Sequence, residues 1–101
     1  MPKTQTELIH DLIEQNTIQQ MQNSDIIAEN KKCITYLKNV EKKLATFKNV
    51  DLSILDVETK RKIQFLTQDN TDKINNNKEL LAHNVALTKN IIQSSHPTVN
   101  G

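Results

Sequence analysis

Residues 3–96, 94 in number, contain neither proline nor glycine. No other feature narrows the fold as much. Proline interrupts a helix by removing an amide donor and clashing with the preceding turn. Glycine supplies the positive φ that tight hairpins need. A chain with Pro2 and Pro97 near its ends, and Gly101 as its only glycine, has few means of turning sharply and none of breaking its helices by these residues. Long helices follow, and β architecture is disfavoured. The same absence excludes phosphate-cradling loops and dinucleotide-binding turns, whose backbone must approach a ligand closely at glycine.

The chain has 101 residues, enough for one small domain. Tyr36, Phe47 and Phe65 are its aromatics and tryptophan is absent, so a thick globular core is hard to build. Helices packed along a seam need fewer large side chains. The expected class is all-α: an elongated antiparallel helical hairpin or coiled-coil bundle of two to three long helices. Thr4 and Glu7 form a Thr-x-x-Glu capping box that starts the first helix. The apolar pattern weakens from Glu14 to Asp25, and Ser24 can cap a second helix. Asn49 to Ser53 reads as the main turn, with Ser53 or Asp56 capping the last helix. The expected helices are 4–22, 25–48 and 56–93, or one bent helix through Ser24 in place of the first two. They form a single domain over 1–93, followed by a flexible tail over 94–101.

A heptad of Ile26, Cys33, Val40 and Phe47, with Leu37 and Leu44 between them and Ile27 and Ile34 alongside, reads as the apolar seam. A second regularity is polar. Asn16, Asn23 and Asn30 are spaced by seven, as are Asn70, Asn77 and Asn84, and mirror partners sum to 100. A hairpin centred near residue 50 brings these residues to the same heights, where buried asparagines can fix register. Twelve asparagines in the chain also make coincidence a sufficient explanation. Antiparallel seams pair a with d positions, so direct Asn–Asn contact is not required.

The side chains that carry chemistry do not converge. His10, His83 and His96 have no partner at ligand spacing, so neither a metal nor any other cofactor is expected. Cys33 reads as a small buried hydrophobe on the seam, and Asp69 and Asp72 as part of a solvated face. With nothing to shape a pocket or oxyanion hole, the chain is read as a binding protein without enzymatic activity or a small-molecule substrate. No apolar run reaches the ~18 residues of a membrane span, and the N-terminus lacks an apolar signal segment, so a cytoplasmic location is expected.

Charge is nearly balanced, 13 basic residues against 12 acidic, which argues against a nucleic-acid binder. It is unevenly placed: residues 1–30 carry −4, residues 31–62 carry +5, and residues 63–101 carry zero. The basic tip, with Lys42, Lys43, Lys48, Lys60, Arg61 and Lys62, reads first as a solvated end of the hairpin.

Two segments carry a resemblance. Asn16 to Lys32, NTIQQMQNSDIIAENKK, is similar to the first helix-break-helix of FlgN-like flagellar export chaperones. Leu12-Ile13, Asn23-Ser24-Asp25 and Lys31-Lys32 match that pattern, and Asn77 to Ile92, NKELLAHNVALTKNII, resembles the family's last helix. The resemblance implies a cytoplasmic type III secretion chaperone that holds the C-terminal helix of hook-associated proteins before export. An amphipathic partner helix laid on a helical face is a familiar mode of recognition.

Leu80, Leu81, Val85, Leu87, Ile91 and Ile92 are the candidate partner-binding residues, because they exceed what one seam requires. Some of them must also pack on Leu8, Ile9, Leu12 and Ile13. Leu81 and Val85 lie on a different stripe from Leu80, Leu87 and Ile91, so the two roles can be divided. A self-associating coiled-coil scaffold and a basic-tip nucleic-acid binder are the alternative readings.

Overall fold

A computed structural model describes residues 2–46 and 53–95. Two helices account for all of these beyond residue 4: α1, Gln5–Thr46, and α2, Ser53–Ser95. No strand occurs among the described residues, and the class is all-α as expected. The connection at 47–52 and the segment 96–101 lie outside the described residues, and with them most of the expected turn and tail. Ser53 opens α2, and Ser94 and Ser95 still belong to it.

The start of α1 follows the sequence closely. The Glu7 amide donates to the Thr4 hydroxyl at 3.2 Å, and that hydroxyl donates to the Glu7 carboxylate at 3.2 Å. The Leu8 amide reaches the Thr4 carbonyl at 3.0 Å, closing the first turn. The expected break at Asn23-Ser24-Asp25 is absent, because α1 continues through it. Asparagine ends helices when its side chain turns back on the local backbone. Here the Asn23 amide nitrogen donates to Asn76 and Asn77 of the other helix, which leaves the local backbone to the helix.

The chain divides into two compact units. The terminal unit comprises residues 1–23 and 75–101. The covered positions of its facing stripe are Ile9, Ile13, Asn16, Gln20 and Asn23 on α1, and Asn77, Leu80, Asn84, Leu87 and Ile91 on α2. Steps of three and four along each helix keep one stripe facing the partner. Asn16 meets Asn84 and Asn23 meets Asn77, so the two segments run antiparallel.

The central unit comprises residues 24–74. Ile27, Asn30, Ile34, Leu37, Glu41 and Leu44 are the covered positions of the same stripe on α1. Their counterparts on α2 are Asp56, Thr59, Ile63, Leu66, Asn70 and Lys73. Asn30 meets Asn70 at 2.9 Å.

This pattern corrects the seam read from the sequence. Leu37 and Leu44 belong to it, and Ile27 and Ile34 lie at its centre, not its margin. Ile26 is exposed, while Cys33 and Val40 are half-buried on the adjoining stripe; Phe47 lies outside the described residues. Both stripes are apolar over 26–44, so hydrophobicity alone does not choose between them. The asparagines decide it, because only one rotation of α1 brings Asn30 to Asn70. The packing of the first turns is also redistributed: Ile9 and Ile13 are covered, whereas Leu8 and Leu12 are exposed.

Candidate functional site

The mirror relation among asparagines is realised as direct contact. Asn16 donates to Asn84 at 2.9 Å, Asn23 to Asn77 at 2.9 Å, and Asn30 to Asn70 at 2.9 Å. With the seam at its observed rotation, the asparagines of α1 stand at one heptad position and those of α2 at its antiparallel complement. The a-with-d rule therefore brings them together instead of separating them.

Neighbouring amides complete each layer. Asn23 also donates to Asn76 at 2.8 Å and accepts from Gln19 at 3.0 Å. Gln20 donates to the Asn77 carbonyl at 3.2 Å. In the central unit Asn30 donates to the Asp69 carboxylate at 2.8 Å, and Lys73 reaches the same carboxylate at 2.6 Å. Hydrogen bonds from Lys73 and then Asn30 hold the Asp69 carboxyl below its usual range. Asp69 thus belongs to the packed network and not to a solvated face; Asp72 is exposed and accepts from Gln68. No buried side-chain nitrogen or oxygen lacks a partner among the described residues. These layers hold the helices in register.

Apolar surface is instead abundant outside. Among the described residues Ile9 is the only buried hydrophobe, while large aliphatic and aromatic side chains stand exposed along both helices. The six sequence-selected residues divide. Leu80, Leu87 and Ile91 are half-buried and turn towards α1. Leu81, Val85 and Ile92 are about half exposed, at 57%, 49% and 53%. These three follow one another at steps of four and seven, which places them on one stripe of α2. Thr88 lies within that stripe, and its hydroxyl donates to the Asn84 carbonyl at 2.8 Å, so its donor is satisfied within the helix. Met21, 63% exposed, lies on the same side of the terminal unit by its heptad position. Met21 does not stand out in the sequence, because the polar residues around it hide its alignment with α2.

Other candidates find quieter places. His10 and His83 are exposed, and His96 lies outside the described residues. Cys33 is a free thiol beside the seam, half-buried and not enclosed. Of the basic tip, Lys60 is paired with Asp56 at 3.0 Å; the hydrogen bond and charge of Asp56 raise the Lys60 pKa. Lys42, Lys43, Arg61 and Lys62 are exposed, and Lys48 lies outside the described residues. Among the described residues no group of His, Cys, Asp and Glu is placed to hold a metal ion, and no helix is long and apolar enough to cross a membrane. No family model, curated protein or solved structure matches the chain.

Proposed function

We propose that this chain is a non-catalytic chaperone that captures an amphipathic helix of a protein partner on the outer stripe of α2. The observation that carries the reading is the exposed row Leu81, Val85 and Ile92, beside inward residues that already complete the pairing with α1. Exposed aliphatic rows of this kind mark interaction sites, and an amphipathic helix presents matching apolar positions at three- and four-residue steps. The similarity to FlgN-like proteins gives the partner a concrete form. It is the C-terminal helix of a hook-associated flagellar protein, held in the cytoplasm before type III export.

The test is Leu81→Asp with Val85→Asp. Both side chains point outward, so helicity by circular dichroism and the thermal midpoint should stay near wild type. Binding of a synthetic peptide spanning the C-terminal helix of a hook-associated protein should fall at least tenfold in titration calorimetry. Unchanged binding, or no binding by the wild-type chain, would rule the reading out. Loss of helicity in the variant would show that the two residues belong to the fold instead.

A further inference from the structure

We infer, resting on the capture surface proposed above, that the helix it takes is basic along one flank, with two lysine or arginine side chains one heptad apart. The hydrogen bonds of the terminal unit fix which residues share a side of the seam. Asn23 accepts from Gln19 and donates to Asn76, which puts those two residues on one side. On the other side stand Leu81 and Thr17, whose hydroxyl accepts from Asn84 at 3.4 Å. The next stripe outward there holds Glu7, Glu14 and Met21 on α1, and Lys78, Val85 and Ile92 on α2, all of them exposed.

Asn16 with Asn84 and Asn23 with Asn77 set the register between these stripes. It places Glu7 level with Gln93, next to Ile92, and Glu14 level with Ala86, next to Val85. Each acid therefore faces an exposed aliphatic side chain across the groove between the helices. A helix laid in that groove rests its apolar stripe on Leu81, Val85 and Ile92, and turns one flank to Glu7 and Glu14. The two acids are seven residues apart, about 10.5 Å along α1, so cations at i and i+7 of the partner match them. Lys78 and Lys89 belong to the α2 side, which confines the partner's cations to the flank facing α1.

The chain itself shows what this edge of α1 binds. Asp11 lies between Glu7 and Glu14 at steps of four and three, and the Lys3 ammonium is paired with it. Among the described residues no cation is paired with Glu7 or Glu14. The Glu7 carboxylate accepts from the Thr4 hydroxyl and keeps further acceptor capacity. Charges at the edge of an apolar contact select among partners more than they add affinity, so the two glutamates act as specificity residues beside the aliphatic row.

Titration calorimetry of the full chain with two synthetic amphipathic helical peptides tests this. The peptides share one apolar face. One carries lysine at two flank positions seven apart, and the other carries glutamine there. The lysine peptide should bind about fivefold tighter at low salt, the worth of two exposed ion pairs, and high salt should erase the difference. Glu7→Gln with Glu14→Gln should abolish the preference and leave the affinity for the glutamine peptide unchanged. Glutamine at position 7 preserves the capping box, so helicity should be retained. Glu29→Gln with Asp72→Asn, in the central unit, should leave the preference intact. Equal affinity for the two peptides, or a preference that survives loss of both glutamates, would overturn the inference. The capture surface would still stand in that case if Leu81→Asp with Val85→Asp abolished binding of both peptides. No binding of either peptide, or binding indifferent to Leu81→Asp with Val85→Asp, would refute the capture surface and the inference with it.

Discussion

The asparagine layers make a prediction in which one and two substitutions have opposite signs. Asn23 is 4% exposed and donates across the seam to Asn76 and Asn77 at 2.8 and 2.9 Å. In Asn23→Ala both cross-seam bonds are lost, together with the bond accepted from Gln19, and no apolar group of comparable size replaces the amide. Gln19 is exposed and its amide turns to water, so at about 1 kcal/mol per net hydrogen bond the two cross-seam bonds set the loss at about 2 kcal/mol. With a urea m-value of about 2 kcal/mol per molar, the unfolding midpoint should fall by about 1 M. In Asn23→Leu with Asn77→Leu both ends of the central bond are replaced by apolar groups. Full burial of each leucine would contribute about 1.5–3 kcal/mol. Because position 77 is only half-covered, a net gain of about 1 kcal/mol is expected after the lost bonds are subtracted. The midpoint should then rise above wild type. The assay is urea unfolding followed by circular dichroism at 222 nm, all chains at one concentration so that self-association contributes equally. An unchanged midpoint for the alanine variant, or a leucine pair less stable than wild type, would refute the account of these layers as hydrogen-bonded, register-setting pairs.

Two further outcomes follow. The Asp69 carboxyl titrates below its unfolded value, so its contribution to stability is present above the unfolded pKa and is lost as pH falls through the folded one. The thermal midpoint should drop in that acid range, and Asp69→Asn should flatten the drop. Asp25→Pro distinguishes a continuous α1 from a broken one: proline is tolerated in the first turn after a cap but costs about 3 kcal/mol inside a helix. A substantial loss of thermal stability is therefore expected, and a neutral result would mean that α1 starts afresh at Ser24.

Much of this architecture was legible from the sequence, in particular the helical class and the start of α1 at Thr4. Both rest on local signals, the missing helix breakers and the capping box, which act within a turn or two. The break at Ser24 was misread because a polar stretch of asparagine and serine looks the same whether its side chains bind the local backbone or a distant helix. The seam was misplaced by one stripe because Ile26, Cys33 and Val40 are as apolar as Ile27 and Ile34, and only pairing with Asn70 separates the two rotations. For the candidate site, helical spacing was enough to separate Leu81 from Leu80. The alignment of Met21, Glu7 and Glu14 with that stripe needed the register between the helices, which no single segment contains.

An interior of amides has a calorimetric consequence. The heat capacity of unfolding rises with the apolar surface released to water and falls with the polar surface released. Here the covered stripe repeatedly places asparagine, glutamine, threonine and charged groups where other domains place leucine. The other half of the stripe is isoleucine and leucine, so unfolding releases less of the first kind of surface, and more of the second, than a wholly apolar seam would. An ordinary chain of this length shows about 1.2–1.5 kcal/mol per kelvin, and a value below that range is expected here. The free-energy curve should then be broader and flatter than that of a domain with a leucine seam.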